Sequence, residues 1–241
     1  MLPNELDKSG IVNNDYKDVV FGRRSVRALD PNFKIKREEI LQMLQEAIVS
    51  SPSAVDTQPF YFLVIDTDEG KAKINDIMWL VDKDRCTRSS FTVIPCADAK
   101  WFEHYDELIK REKEAAPEVW PPEMEAMMMP VVQNWVGLLC ANNGELLHKS
   151  VDFQAGLVTM AFLNAVRAHG YEAGFMDAWD PDMLQDAFGL DIERYRPQGV
   201  IAVGRKISLE DAANADGAAG AVWMVAPERY RYPAADLTMF A

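Results

Sequence analysis

Apolar residues recur at two spacings along this chain, and the spacing predicts its elements. Over residues 36–50, Ile40, Leu44, Ala47 and Ile48 fall on one face of a helix. Glu38 and Glu39 sit in its first turn, where negative charge suits the helix dipole. Residues 60–65, Phe-Tyr-Phe-Leu-Val-Ile, form a continuous apolar run of strand length, as expected for a strand covered on both faces. Helical spacing returns over 69–83 with Ile74, Ile77, Met78 and Val81, and residues 91–97 predict a second strand. A helix around 104–115 stops before Pro117.

The strongest helix signal of the second half covers 145–169. Its predicted inner face is rich in small residues (Ala155, Gly156, Thr159, Ala161, Ala165), which let a neighbouring helix come close and suit a central helix or a subunit contact. Gly170 ends it. An extended piece over 171–177 leads to a helix capped by Asp180, with Pro181 at its first position, that ends at Gly189. Residues 199–204 predict another buried strand.

Near the N-terminus, Tyr16, Val19 and Val20 mark a short helix that ends at Gly22; residues 25–29 are extended and Asp30-Pro31-Asn32 makes a turn. Two polar stretches read as loops: the turn-rich 51–58 and the Ala/Gly-rich, acidic 205–226, which reads as mobile. Residues 119–135 carry Trp120, Met124, Met127, Met128, Met129 and Trp135. Such a stripe is either core or an adaptable apolar pocket wall, because Met is flexible and polarizable. The pattern shows no internal repeat and no linker. It predicts a polar arm over 1–14 and one α+β domain over 15–241, with many helices and few strands.

Composition changes this picture in one respect. The 241-residue chain carries a net charge of −13, yet Arg23, Arg24 and Arg27 crowd around Ser25. An acidic body argues against nucleic acid or an anionic membrane as partner. A basic knot in such a body is either a solvated charge run or a seat for a small anion, since guanidinium forks fit phosphate oxygens two at a time. Arg229 and Arg231 form a second knot at the other end of the chain. If the two converge, they would hold one phosphate.

Cys86, Cys96 and Cys140 form no CxxC pair, and His104, His148 and His169 are far apart, so a metal site is not expected. Sparse thiols read as reduced and the protein as cytoplasmic. No signal peptide and no apolar run long enough to span a membrane are visible. GxSxG, Walker and GxGxxG motifs are missing, and no acid/base pair stands out.

Four pieces in order resemble the FMN-dependent nitroreductase family: residues 23–27; residues 51–60, Ser-Pro-Ser-Ala-Val-Asp-Thr-Gln-Pro-Phe; the segment 170–180; and Val203-Gly204 followed by Arg229 and Arg231. The resemblance implies a mainly antiparallel central sheet flanked by helices, with the C-terminal tail exchanged in a homodimer. It implies FMN as cofactor, held at the phosphate and ribityl chain by Arg23, Ser25, Arg229, Arg231 and the backbone of Arg24. Arg27 would lie at the pyrimidine edge, where a cation stabilises the reduced flavin; Arg88 and Arg85 would share that edge. Pro52, Ser53, Ala54 and Asp56 would cover the ring from the other subunit, and the backbone of Asp177 and Ala178 would approach flavin N5.

Read without the family, Ser53 and Asp56 cap turns, and Arg85 and Arg88 are surface arginines. Two positions depart from the family pattern: Asp56 stands where Asn is usual, and Asp177-Ala178 replaces a commoner acidic-Gly pair. The segment 100–135 is where family members differ most. The implied activity is hydride transfer from NAD(P)H to an electron-poor acceptor such as a nitroaromatic or quinone by a ping-pong scheme, with no catalytic side chain. Alternatives on the same fold are a flavin reductase, enoyl reductase, dehalogenase or dehydrogenase, or a flavin-binding protein that is not an enzyme.

Overall fold

A five-stranded sheet separates two helical layers in the computed structural model, which describes residues 3–79, 82–177, 179–208 and 230–240. The strands are β1 (Phe60–Ile65), β2 (Phe91–Asp98), β3 (Glu172–Met176), β4 (Tyr195–Pro197) and β5 (Val200–Gly204). The order is β1-β2-β5-β3, with β4 paired beside β5 on β2. All these pairs are antiparallel. One parallel bridge, Ser25 to Ala173, makes the sheet mixed.

The helices are α1 (Arg37–Ser50), α2 (Asp68–Ile77), the single turn α3 (Arg85–Arg88), α4 (Tyr105–Ala115), α5 (Pro122–Leu139), α6 (Ala141–Ala168) and α7 (Asp182–Phe188). Strand alternation divides the core between the two faces of the sheet. Phe91, Val93, Ile201 and Val203 pack against α1 and α6. Ile94, Cys96, Val200 and Ala202 pack against α2 and α7. A third cluster joins Trp101, Tyr105 and Ile109 to Val132 and Leu139 of α5 and to Val151 and Ala155 of α6.

The apolar run of β1 is packed on both faces, with Phe62 and Val64 on one side and Leu63 and Ile65 on the other. It is nevertheless an edge strand, and only Ile65 is fully buried. Tyr61 reaches over β2 to stack on Tyr195 of β4, with ring centroids 3.9 Å apart. The small-residue face of α6 also splits. Ala155, Thr159 and Ala165 point inward, whereas Gly156 is exposed beside Phe153 and Met160. The helix predicted over 69–83 stops at Ile77, because Met78 turns extended to bridge Trp179. α7 starts one residue after Pro181, and the Asp180 carboxylate accepts from the Asp182 amide at 3.1 Å.

The Met-rich stretch lies on α5, which runs through Pro130. Met129 and Trp135 pack inward while Met124, Met127 and Val131 are exposed, so the stripe is part core and part surface. The loop predicted over 205–226 lies mostly outside the described residues. Among the described residues, no helix is long and apolar enough to cross a membrane, and no group of His, Cys, Asp and Glu could hold a metal.

Candidate functional site

The arginine knot is carried on an extended segment laid against β3. A short helical turn, Lys17–Phe21, ends at Gly22, whose amide donates to Asp18 and Lys17 carbonyls. A Cβ at Gly22 would stand 2.4 Å from the Asp18 carbonyl oxygen, so the chain can turn there only with glycine. Beyond it, the Val26 amide donates to the Ala173 carbonyl at 3.0 Å. Gly174 permits that approach, since a Cβ there would meet the Val26 oxygen at 2.6 Å. Val26 and Ala28 are buried, and the period-two geometry turns Ser25 and Arg27 to the other side, where they are half-buried.

Arg23 has a guanidinium pKa below its ordinary value. Burial is the main cause, followed by the charges of Arg24 and Arg231. Thus Arg231, from the tail, lies in the field of the N-terminal knot. Glu172 opposes the effect, but its carboxylate is itself raised in pKa by burial and is engaged by Arg167 at 2.6 Å. Arg167 also holds Asp18 at 2.9 Å, which fixes the turn before the knot.

Arg27 lies near Arg85, whose pKa is lowered first by burial and then by Arg27, although Asp82 is ion-paired with Arg85. Arg88 acts instead on Asp30, the carboxylate that Arg205 holds at 2.6 Å. The structure therefore makes two cationic groups, Arg23 with Arg24 and Arg231, and Arg27 with Arg85. Arg229 and Ala178 lie outside the described residues. Asp177 is exposed, and the chain just after it is pinned to the end of α2 by the Met78–Trp179 bridge and by the Asp180 amide on the Ile77 carbonyl.

The loop 51–58 is strained. Val55, Asp56 and Gln58 have φ of 52°, 50° and 45°. Left-handed backbone costs non-glycine residues on the order of 1–3 kcal/mol each, most for a β-branched residue such as Val55. Neighbouring helices hold it in place. The Ala54 amide donates to Gln154 Oε1 of α6 at 2.8 Å, and Tyr105 of α4 donates its hydroxyl to the Val55 carbonyl at 3.2 Å. Asp56 accepts from Gln58 Nε2 at 3.2 Å and from Ser53 Oγ at 3.5 Å. Burial first, and then Asp56 nearby, push the Glu112 carboxyl of α4 up to about 7. Pro52, Ser53 and Ala54 face Ser150, Phe153 and Leu157 of α6 across an open groove of about 530 Å³.

Sequence reasoning missed Gln154 and Tyr105 as supports of this loop and Glu112 as a neighbour of Asp56. Gln154 had a signal, being a polar residue on the inner side of an apolar helix. Glu112 had none, because it lies in a charged stretch of α4.

The sequence pattern of the nitroreductase family matches residues 20–82, which span the knot, the strained loop and β1. YdgI of Bacillus subtilis, a candidate NAD(P)H nitroreductase, is 31% identical over 195 residues, covering 81% of this chain and 90% of that protein. This chain belongs to the nitroreductase family. A relative of different named activity, the CLA biosynthesis enone reductase of Lactiplantibacillus plantarum, is 30% identical over 81% of this chain and 87% of that protein. Among solved structures, a candidate nitroreductase of Exiguobacterium sibiricum in complex with FMN superposes with a TM-score of 0.80. It is 29% identical, and the match covers 95% of this chain and 98% of that one.

Proposed function

We propose that this nitroreductase-family chain is an FMN-dependent oxidoreductase that takes hydride from NAD(P)H and reduces small electron-poor acceptors, such as nitroaromatics or quinones, by a ping-pong scheme. The observation that carries this reading is the field of Arg231 on Arg23, in a chain of net charge −13. Like charges brought together around a half-buried Arg23 suit an anion. The donor set of three guanidiniums and the Ser25 hydroxyl suits a phosphate monoester. Arg23, Arg24, Ser25 and Arg231, with Arg229, would hold the phosphate and ribityl chain of FMN.

Arg27, with Arg85 beside it, would set positive charge at the pyrimidine edge, and Arg88 would add to the field there. The Asp177–Ala178 backbone is assigned to the ring. When bound, FMN supplies the centre that accepts and returns hydride. The chain's own part is to bind, orient and shield, and no side chain is assigned as acid or base.

The reading includes a cytoplasmic homodimer. Phe153 is 69% exposed and Met160 41% exposed on the outer side of α6, while the tail leaves Leu237, Met239 and Phe240 uncovered. Apolar surface on a central helix and on a chain terminus supports a partner subunit that exchanges tails. Pro52, Ser53, Ala54 and Asp56 would then complete the partner's site. Free Cys86, Cys96 and Cys140 support a reducing compartment.

A second reading, reduction of an activated carbon–carbon double bond, is favoured by the enone reductase relative. The exposed Met124 and Met127 of α5 would supply apolar lining.

The test is the purified protein. Yellow colour with flavin absorbance, bleached by NAD(P)H, supports the reading, and turnover of a nitroaromatic, a quinone and an enone separates the two acceptor classes. Colourless protein that FMN cannot reconstitute overturns both.

A further inference from the structure

One arginine outside the knot holds two carboxylates that border it. Arg167 lies in the last turn of α6, where a cation suits the helix dipole. The chain turns at Gly170, whose amide donates to the Arg167 carbonyl at 3.0 Å, and returns as β3. Glu172, the first residue of β3, thereby comes back to Arg167, and Nη1 of the guanidinium pairs with it at 2.6 Å. Nη2 reaches Asp18 at 2.9 Å. Asp18 also accepts from Asn13 Nδ2 of the N-terminal arm at 2.6 Å. The Arg167 side chain is 16% exposed and that of Glu172 21%, so solvent screens their pairing only in part.

Both carboxylates are brought to the knot by the backbone. The Gly22 amide, next to Arg23 in the chain, donates to the Asp18 carbonyl at 2.9 Å. The parallel bridge of Ser25 to Ala173, with the Val26 amide on the Ala173 carbonyl, places Arg24 beside Glu172 of the neighbouring strand. Glu172 also acts on the charge of Arg23, which agrees with that placement. A carboxylate released here would be a tethered counter-ion at high effective concentration. It would occupy guanidinium donors and repel an incoming phosphate.

We infer that Arg167 is a positioning residue for the anion seat: it holds Asp18 and Glu172 away from Arg23 and Arg24, which keeps the guanidiniums of the knot for a phosphate. Its planar fork suits the task. Nη1 takes Glu172 and Nη2 takes Asp18, a span that a compact ammonium does not match. Arg167 and Glu172 together add no net charge, so removing both leaves the field of the knot nearly as it was. That the phosphate belongs to FMN rests on the function proposed above; the guarding of the knot does not.

The experiment compares FMN with riboflavin, which lacks only the phosphate. Dissociation constants are read from flavin fluorescence at low salt for the unaltered protein, Arg167→Met, Glu172→Gln and the double variant. FMN should bind the unaltered protein more tightly than riboflavin does. Arg167→Met should narrow that preference severalfold, because it releases both carboxylates. Glu172→Gln alone should leave the preference as it is, and the double variant should recover most of it. A loosened fold would instead weaken both flavins together, and removing a second charge would not rescue it. Should Arg167→Met fail to fold, Arg167→Lys decides, since an ammonium releases one of the two carboxylates and the preference should still narrow. An unchanged preference in the variant that folds, or a double variant no better than Arg167→Met, overturns the inference. Failure of every form to bind either flavin overturns the proposed function instead. The melting temperature of flavin-free protein in phosphate against chloride at equal ionic strength then decides the role of Arg167. Phosphate should raise it in the unaltered protein and not in Arg167→Met; an equal rise in both overturns the inference.

Discussion

Arg23 and Arg231 come from opposite ends of the chain, yet the charge of Arg231 lowers the pKa of Arg23. Only a folded chain can impose that meeting, and the proposed FMN phosphate is the anion that would use it. Replacing either residue with Ala should weaken FMN binding by about 10- to 150-fold, the range for losing a charged hydrogen bond of roughly 1.5–3 kcal/mol. In a double-mutant cycle on the FMN dissociation constant the pair should be non-additive, because both would hold one group. Additive losses would show that they bind separately.

Arg27 is expected to act on potential more than on affinity. Its charge lies with Arg85, apart from the Arg23 group. Arg27→Ala should lower the flavin reduction potential by tens of millivolts, about 30 mV for each 1.4 kcal/mol of a two-electron couple. Equilibration with a reference dye measures it. An unchanged potential with lost FMN would place Arg27 at the phosphate instead.

Gly174→Ala should disturb the site without touching any charged residue. The added Cβ meets the Val26 backbone oxygen at 2.6 Å, and neither strand can yield easily. Overpacking of this kind costs about 1–3 kcal/mol. The melting temperature should fall by several degrees, and FMN retention should fall with it because the segment carrying Ser25 and Arg27 is displaced. Thermal melts with and without FMN read both effects.

His169 should prove structural. It is buried between two carboxylates of α1, with Nε2 at 2.9 Å from Glu46 and Nδ1 at 3.3 Å from Glu39. His169→Phe would leave the buried Glu46 carboxyl without this hydrogen bond, a change that costs about 1–3 kcal/mol. Urea unfolding should show the loss, while the FMN affinity of the folded fraction should hold.

Stability should also carry the signature of Glu112. Its carboxyl is raised from 4.5 to about 7 in the folded protein, so the folded state holds a proton that the unfolded chain has released between those values. The contribution is full below about 4.5 and is lost as pH rises through about 7. Glu112 is half-exposed, so solvent keeps the effect small. Melting curves of FMN-free protein from pH 5 to 8 should decline more in the unaltered protein than in Glu112→Gln.

Much of this was legible in the sequence because periodicity and turn chemistry are local. The face Ile40, Leu44, Ala47 of α1, the apolar run of β1, the stops at Gly170 and Gly189 and the extended 25–29 segment follow from neighbouring residues alone. The arginine knots were visible as charge against an acidic background, and the four ordered pieces pointed to the family.

Other features depend on residues far apart in the chain. An apolar run does not say whether its strand is central or at an edge, so the partial exposure of β1 needed the sheet order. The small residues of α6 fixed a helix face but not which of them turn outward, and Gly156 did. β4 is only three residues long, too short for any periodicity to announce it. Arg85 beside Arg27, Gln154 beneath Ala54 and Glu112 against Asp56 are meetings across the fold. Sequence determined the chemistry available at each position. Tertiary structure decided which groups share a field, because those meetings join residues far apart in the chain.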